Sequence, residues 1–111
     1  MKSEVFLALP HREKDRIVAK YVDGLDTFDE WWYRHPVTGN RMQVSNYSTD
    51  LRSSWQLGKH FHSFRLSCLD DGRALCVLSS GKGLEQWWGM HTCPEIAIVL
   101  ACLNKVGYIK D

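Results

Sequence analysis

Apolar and polar positions along this chain repeat with two periods. Between Arg12 and Asp23, Ile17, Val18, Tyr21 and Val22 recur at helical spacing. Arg12, Glu13, Lys14, Asp15, Arg16 and Lys20 fall mostly outside that stripe and alternate in sign, which reads as a solvated face. Pro10 suits the start of this helix and Gly24 its left-handed end. A second helix is expected from Thr49 to about His60. Ser48 is placed to accept from the unpaired N–H groups of its first turn, and Asp50 sits where negative charge meets the positive end of the helix dipole. Leu51 and Trp55, four apart, share what should be its core-facing side. Gly58 weakens this helix by roughly 1 kcal/mol relative to Ala. A third helix opens on Thr92-x-x-Glu95, which has the form of a capping box, with Pro94 in the first turn. Ile96, Val99, Leu100, Leu103 and Val106 give it a broad apolar face, and Ala97 and Ala101 permit close packing. Gly107 stops it. It should be the most buried helix.

The period of two appears between His62 and Leu69. Phe64, Leu66 and Cys68 share one face, and Ser63, Arg65 and Ser67 the other. Asp71-Gly72 is a strong hairpin signal. As a two-residue turn it pairs Leu75 with Cys68 and Val77 with Leu66, and it sets Cys68 and Cys76 on opposite faces. Ala74, Cys76 and Leu78 make the second face of this strand apolar too, so cover is expected on both sides. Glu30 to Arg34 and Arg41 to Val44 form a further hairpin around Pro36 to Asn40, with Leu25 to Glu30 as a loop before it. Met1 to Pro10 is a leader that Val5, Phe6, Leu7 and Leu9 could tack onto the core. The expected fold is α+β: an antiparallel sheet of three to four strands with helices on both faces, an α/β/α sandwich. Residues 1–111 are read as a single domain.

Composition narrows the function. The 111 residues are 44% hydrophobic and 24% charged, which excludes a disordered chain. A formal net charge of +1 leaves no global field to draw in nucleic acid. Five Trp is high, and four of them form the pairs Trp31-Trp32 and Trp87-Trp88. Neighbours on a strand point to opposite faces, so one Trp of each pair must find cover outside the core or stay exposed. The four cysteines include no C-x-x-C pair. Neither a signal-peptide run nor the ~20 apolar residues of a membrane span is present. The expectation is a soluble intracellular protein with free thiols and no membrane association.

Candidate catalytic chemistry is thin. His60-x-His62, His91-x-Cys93, Cys68 and Cys76 supply metal-ligand types, but at poor spacing for a structural zinc site. Cys93 lies in a helix first turn, where a thiol pKa falls, yet a helix start accounts fully for Thr92-Cys93-Pro94. Ser79-Ser80-Gly81-Lys82-Gly83 lacks the spacing of a phosphate-wrapping loop and reads as a turn. The aromatic pairs are the remaining candidates. Trp31, Trp32, Trp87 and Trp88, with Arg34, Arg41 and Lys82, are of the types that dominate protein interfaces and that stack on nucleotides. Filling a small core is the plain alternative for each pair.

The start Tyr47-Ser48-Thr49-Asp50 with Trp55 following, and the Thr92-x-Pro94 start of an Ala-rich apolar helix, resemble the phage ABA-sandwich domain family of small bacteriophage proteins. Asp15-Arg16-Ile17-Val18-Ala19 and the Trp-rich segment before the turn fit the same layout, and the likeness runs over residues 12–107. Gly58 and Glu95-Ile96 depart from it. The resemblance implies a sheet sandwiched between helices, a phage or prophage origin and hence a host cytoplasm setting. It implies no established activity, no catalytic residues and no cofactor. The preferred expectation is a non-enzymatic phage accessory protein that binds a host or phage protein, a host defence component among them. The alternative is a protein that sequesters a nucleotide-like small molecule. Nucleotide binding calls for a concave pocket joining a Trp face to an Arg or Lys; protein binding calls for a flatter exposed aromatic patch.

Overall fold

The computed structural model describes residues 1–79, 81 and 85–111. In chain order the elements are α1 (Ser3–Leu7), α2 (His11–Tyr21), β1 (Asp26–Thr27), β2 (Trp32–Arg34), β3 (Arg41–Gln43), α3 (Leu51–Trp55), a 3-10 turn (Gln56–His60), β4 (Ser63–Cys68), β5 (Ala74–Ser79), β6 (Gln86–His91) and α4 (Pro94–Lys105). The strands divide into two antiparallel sheets of three, ordered β1-β2-β3 and β4-β5-β6. The class is α+β, as the pattern predicts. The short strand β1 lies in the stretch read as a loop.

The register of the second sheet differs from the two-residue turn by one position. Leu66 pairs with Cys76, Phe64 with Leu78 and Cys68 with Ala74. Gly72 adopts φ +87° and its N–H reaches the Leu69 carbonyl at 3.0 Å, so Asp70, Asp71 and Gly72 form a three-residue loop. That one extra residue flips β5. Ala74, Cys76 and Leu78 join Phe64 and Leu66 on the inner face and are buried; Leu75 and Val77 turn outward and stay half-buried. Cys68 and Cys76 thus share a face.

Helix α4 packs on this inner face. It comes very close at Gly89 on β6, where a Cβ would lie 2.7 Å from Leu100 Cβ and against the Ala97 carbonyl. Every residue from Ile96 to Leu103 is buried, because the sheet covers one side of α4 while α2 and α3 cover another. The layering therefore differs from the sandwich drawn from the two apolar faces of β5. The further helices pack on α4, and the outer face of the sheet carries half-buried Leu75 and Val77 beside exposed Trp88. Val106 follows α4 and is exposed rather than part of its apolar face.

The helix starts are built from residues next to those the patterns named. Asp50 caps α3, its side chain accepting from Arg52 N at 3.1 Å, while Ser48 N–H donates to Asp15 at 2.7 Å. Helix α3 has five residues before it tightens into the 3-10 turn. Ser54 and Leu57 point inward; Leu51 and Trp55 are exposed. Gly58 sits under the Phe64 ring, where a Cβ would come within 3.3 Å of it. Thr92 makes no cap on α4: Cys93 takes that place, and its N–H donates to His91 Nδ1 at 3.0 Å.

Candidate functional site

The β2–β3 hairpin gathers four of the residues singled out by the sequence. Trp32 faces Gln43 across the ladder, Arg34 faces Arg41, and Asp26 of β1 faces Arg34 on the other side. Directly paired residues project to one side of a sheet. Trp32, Arg34, Arg41, Gln43 and Asp26 therefore share a face, opposite to Tyr33, which packs on the core. The guanidinium of Arg41 lies 4.4 Å over the Trp32 ring, and that of Arg34 lies 5.9 Å from the ring of exposed Phe28. Asp29 sets this start, its Oδ1 accepting from Trp31 N at 2.8 Å and Trp32 N at 2.9 Å. Trp31, 46% exposed, lies against the Arg12 guanidinium at 4.4 Å. Neither Trp of this pair enters the core.

The second pair splits. Trp87 is half-buried, on the inner face opposite Leu78, with Lys105 Nζ 4.5 Å over its ring. Trp88 turns outward and is 58% exposed. Its carbonyl accepts from Asn104 Nδ2 at 3.3 Å. Lys82, and most of the Ser79 to Gly83 turn, lie outside the described residues. Trp32, Arg34 and Arg41 thus share one face of the first sheet, Trp31 beside them lies against Arg12, and Trp87 and Trp88 stand on the other sheet.

Two clefts border these groups. One, of about 400 Å³, is lined by Arg34, Gly24, Leu25, Asp26 and the His35 to Gly39 turn, and no Trp reaches it. The other, of about 410 Å³, lies along β6 between Trp88, Gly89, Leu100 and Asn104, and no Arg or Lys lines it. Neither of these clefts joins a Trp face to an Arg or Lys, as a nucleotide site would require.

Two polar clusters were invisible to periodicity. Arg12 and Asp15 are buried, although the stripe left them on a solvated face. Arg12 Nη1 donates to Asp15 Oδ2 at 3.2 Å and to Asn46 Oδ1 at 2.6 Å; Nη2 reaches the carbonyls of Glu30 and Val44, both at 3.0 Å. The burial of this pair is made tolerable by those bonds, which fasten two irregular segments to α2. The second cluster is built on Asp23, which accepts from the Tyr47 hydroxyl, meets His60 Nε2, and has Lys59 Nζ at 4.0 Å. Burial, then the bond to Asp23, holds the Tyr47 phenol well above its ordinary pKa. A hydroxyl so reluctant to ionise is a poor nucleophile, so the cluster reads as a tie between α2, the 46–50 segment and the 3-10 turn. The separations of 24 and 37 residues leave no local signal to find it by.

All four cysteines are free. Burial pushes the Cys76 thiol up to about 12, and Cys102 shifts in the same direction for the same leading reason. Cys93 directs its backbone, not a shared proton, at His91. Among the described residues no three His, Cys, Asp or Glu side chains converge as a metal cage would require, and no helix is long and apolar enough to cross a membrane.

Neither the protein-family models nor the curated proteins searched include a match to this chain. Among solved structures, the fold is similar to that of a phage protein from Bacillus cereus ATCC 14579, solved as a crystal structure at 2.0 Å. The match has a TM-score of 0.76 and 15% sequence identity, and it covers 94% of each chain. The likeness is one of fold: this chain has the architecture of a phage protein.

Proposed function

We propose that this is a phage-encoded accessory protein that acts without catalysis, by binding another protein through the outward face of the β1-β2-β3 sheet. The observation that carries the reading is the arrangement of Trp32, Phe28, Arg34 and Arg41 on one face of the sheet, with Arg34 alone of the four at the rim of a cleft. Trp and Arg are the residues that most often anchor interfaces, and here they are held by a hairpin rather than a free loop. The phage origin rests on the shared fold, and a host partner, a defence component among the candidates, rests on the sequence resemblance. A nucleotide-binding role is disfavoured because the cleft that Arg34 lines holds no Trp and the cleft that Trp88 lines holds no Arg or Lys.

The test is capture from lysate of an infected host by immobilised protein, with mass spectrometry of the proteins and small molecules retained. Trp32→Ala and Arg41→Ala should leave the melting temperature within a few degrees and release the captured protein, each with a loss of about 2 kcal/mol, roughly 30-fold. Undiminished capture of the same partner by both folded variants would refute the assignment. Stoichiometric retention of a nucleotide would replace it.

A further inference from the structure

We propose that the segment received by the outward face of the β1-β2-β3 sheet is an acidic peptide, whose carboxylates bridge Arg34 and Arg41. This rests on the protein-binding reading above and names the chemistry of the partner. Arg34 and Arg41 are directly opposite across the β2–β3 ladder. Like charges in that relation destabilise a sheet unless something neutralises them. Among the described residues neither guanidinium makes an ion pair, Asp26 included, although it faces Arg34 from β1.

The geometry favours carboxylate over a nucleic-acid strand. Each guanidinium lies over a ring, Arg41 at 4.4 Å from the Trp32 centroid and Arg34 at the longer 5.9 Å from that of Phe28. Stacking leaves the in-plane N–H groups free, and that fork matches a carboxylate with two parallel hydrogen bonds. Bases need open ring faces to stack on, and here a guanidinium lies over each ring. Asp26 shares the face beside Arg34, so a continuous run of phosphates would meet repulsion that one or two placed carboxylates avoid. Opposed residues have Cβ atoms about 5 Å apart, and alternate side chains of an extended peptide are about 7 Å apart. Two acidic residues separated by one position can therefore reach both forks.

The experiment is a heteronuclear NMR titration that follows the Arg Nε–H and Trp indole resonances. The probes are a decapeptide alternating Glu with Tyr, the same peptide with Gln for Glu, and a ten-nucleotide oligo-dT. The Glu peptide should shift Arg34, Arg41 and Trp32, and bind at least tenfold more tightly than the Gln peptide at 50 mM salt. That advantage should shrink on raising salt to 500 mM. Arg34→Gln/Arg41→Gln should abolish it with the fold intact by circular dichroism. Equal response to the Gln peptide would overturn the acidic class and leave protein binding standing. Response to oligo-dT and neither peptide would overturn both. Silence of Arg34 and Arg41 toward every probe would overturn the acidic class, while the fate of the protein-binding reading is decided by the capture experiment.

Discussion

Gly89→Ala should be among the most damaging small changes available in this chain. The added Cβ would stand 2.7 Å from Leu100 Cβ, 2.5 Å from Ala101 N and close against the Ala97 carbonyl. Ordinary contacts of this kind need about 3.5–4.0 Å, so β6 and α4 would have to part by about 1 Å. Two of the three obstructing atoms are backbone, which cannot rotate aside. Overpacking of this sort costs about 1–3 kcal/mol and occasionally more. Displacing α4 adds to that, because its buried run from Ile96 to Leu103 would lose contact elsewhere. Against this, Ala narrows the unfolded ensemble and returns about 0.4–1 kcal/mol. The net expectation is a loss of about 2 kcal/mol. In urea, with m near 2 kcal/mol/M, the midpoint should fall by about 1 M, followed by tryptophan fluorescence. Gly58→Ala is the control. Its Cβ would meet the Phe64 ring at 3.3 Å, and a ring can tilt, so its midpoint should move far less. A Gly89→Ala midpoint at or above that of the parent would refute the close approach and with it the packing of α4 on the sheet.

Further outcomes follow from the buried polar groups and from the core. Arg12→Met leaves the Asp15 carboxylate buried without its partner and should cost about 3–5 kcal/mol, whereas Arg12→Met/Asp15→Leu should cost clearly less than the sum of the single changes in a double-mutant cycle. Stability should fall steeply above pH 9. The folded pKa values of Cys76, Cys102 and Tyr47 are raised, so their contribution is complete below the unfolded values of 9.0 and 10.0 and is lost as pH climbs past them. The two buried thiols should carry a large part of this fall, and the urea midpoints of Cys76→Ala should show a clearly shallower dependence on pH than those of the parent. Leu100→Ala should cost about 2–5 kcal/mol. Lys14→Ala, which gives up one long, partly buried bond to the Leu7 carbonyl, should cost under about 0.5 kcal/mol.

What was legible in the sequence is what local spacing encodes. The apolar run of α4, the stop at Gly107, the alternation of β4 and the turn around Asp71-Gly72 are each read from residues within a few positions of one another. The length of that turn was not, because Asp-Gly serves both the two-residue loop and the three-residue loop that places Gly72 at φ +87°, and the choice inverts β5. Arg12 and Asp15 were misplaced for a related reason. Periodicity assigns charged residues to solvent and cannot register partners 32 to 34 positions away. The grouping of Trp31, Trp32, Arg34 and Arg41 was within reach of a hairpin reading. Their distance from the Trp87-Trp88 pair depends on there being two sheets rather than one, which no local pattern states.

The way Arg12 holds the irregular segments bears on how this fold tolerates sequence drift. Of the groups that accept from it outside α2, the carbonyls of Glu30 and Val44 belong to the backbone, and only Asn46 contributes a side chain. A backbone carbonyl survives almost any substitution at its residue. The exposed positions near 30 and 44 can therefore exchange their side chains widely while the clamp stays closed, provided Arg12, Asp15 and the buried Val44 remain. Mutational latitude is thus concentrated in the segments that frame the exposed Trp and Arg face, and the constraint is carried by one turn of a helix. A library randomised at Glu30, Val37 and Gln43 should return many folded variants, and one randomised at Arg12 and Asp15 few. Such a division allows the exposed face to change its side chains without altering the architecture beneath it.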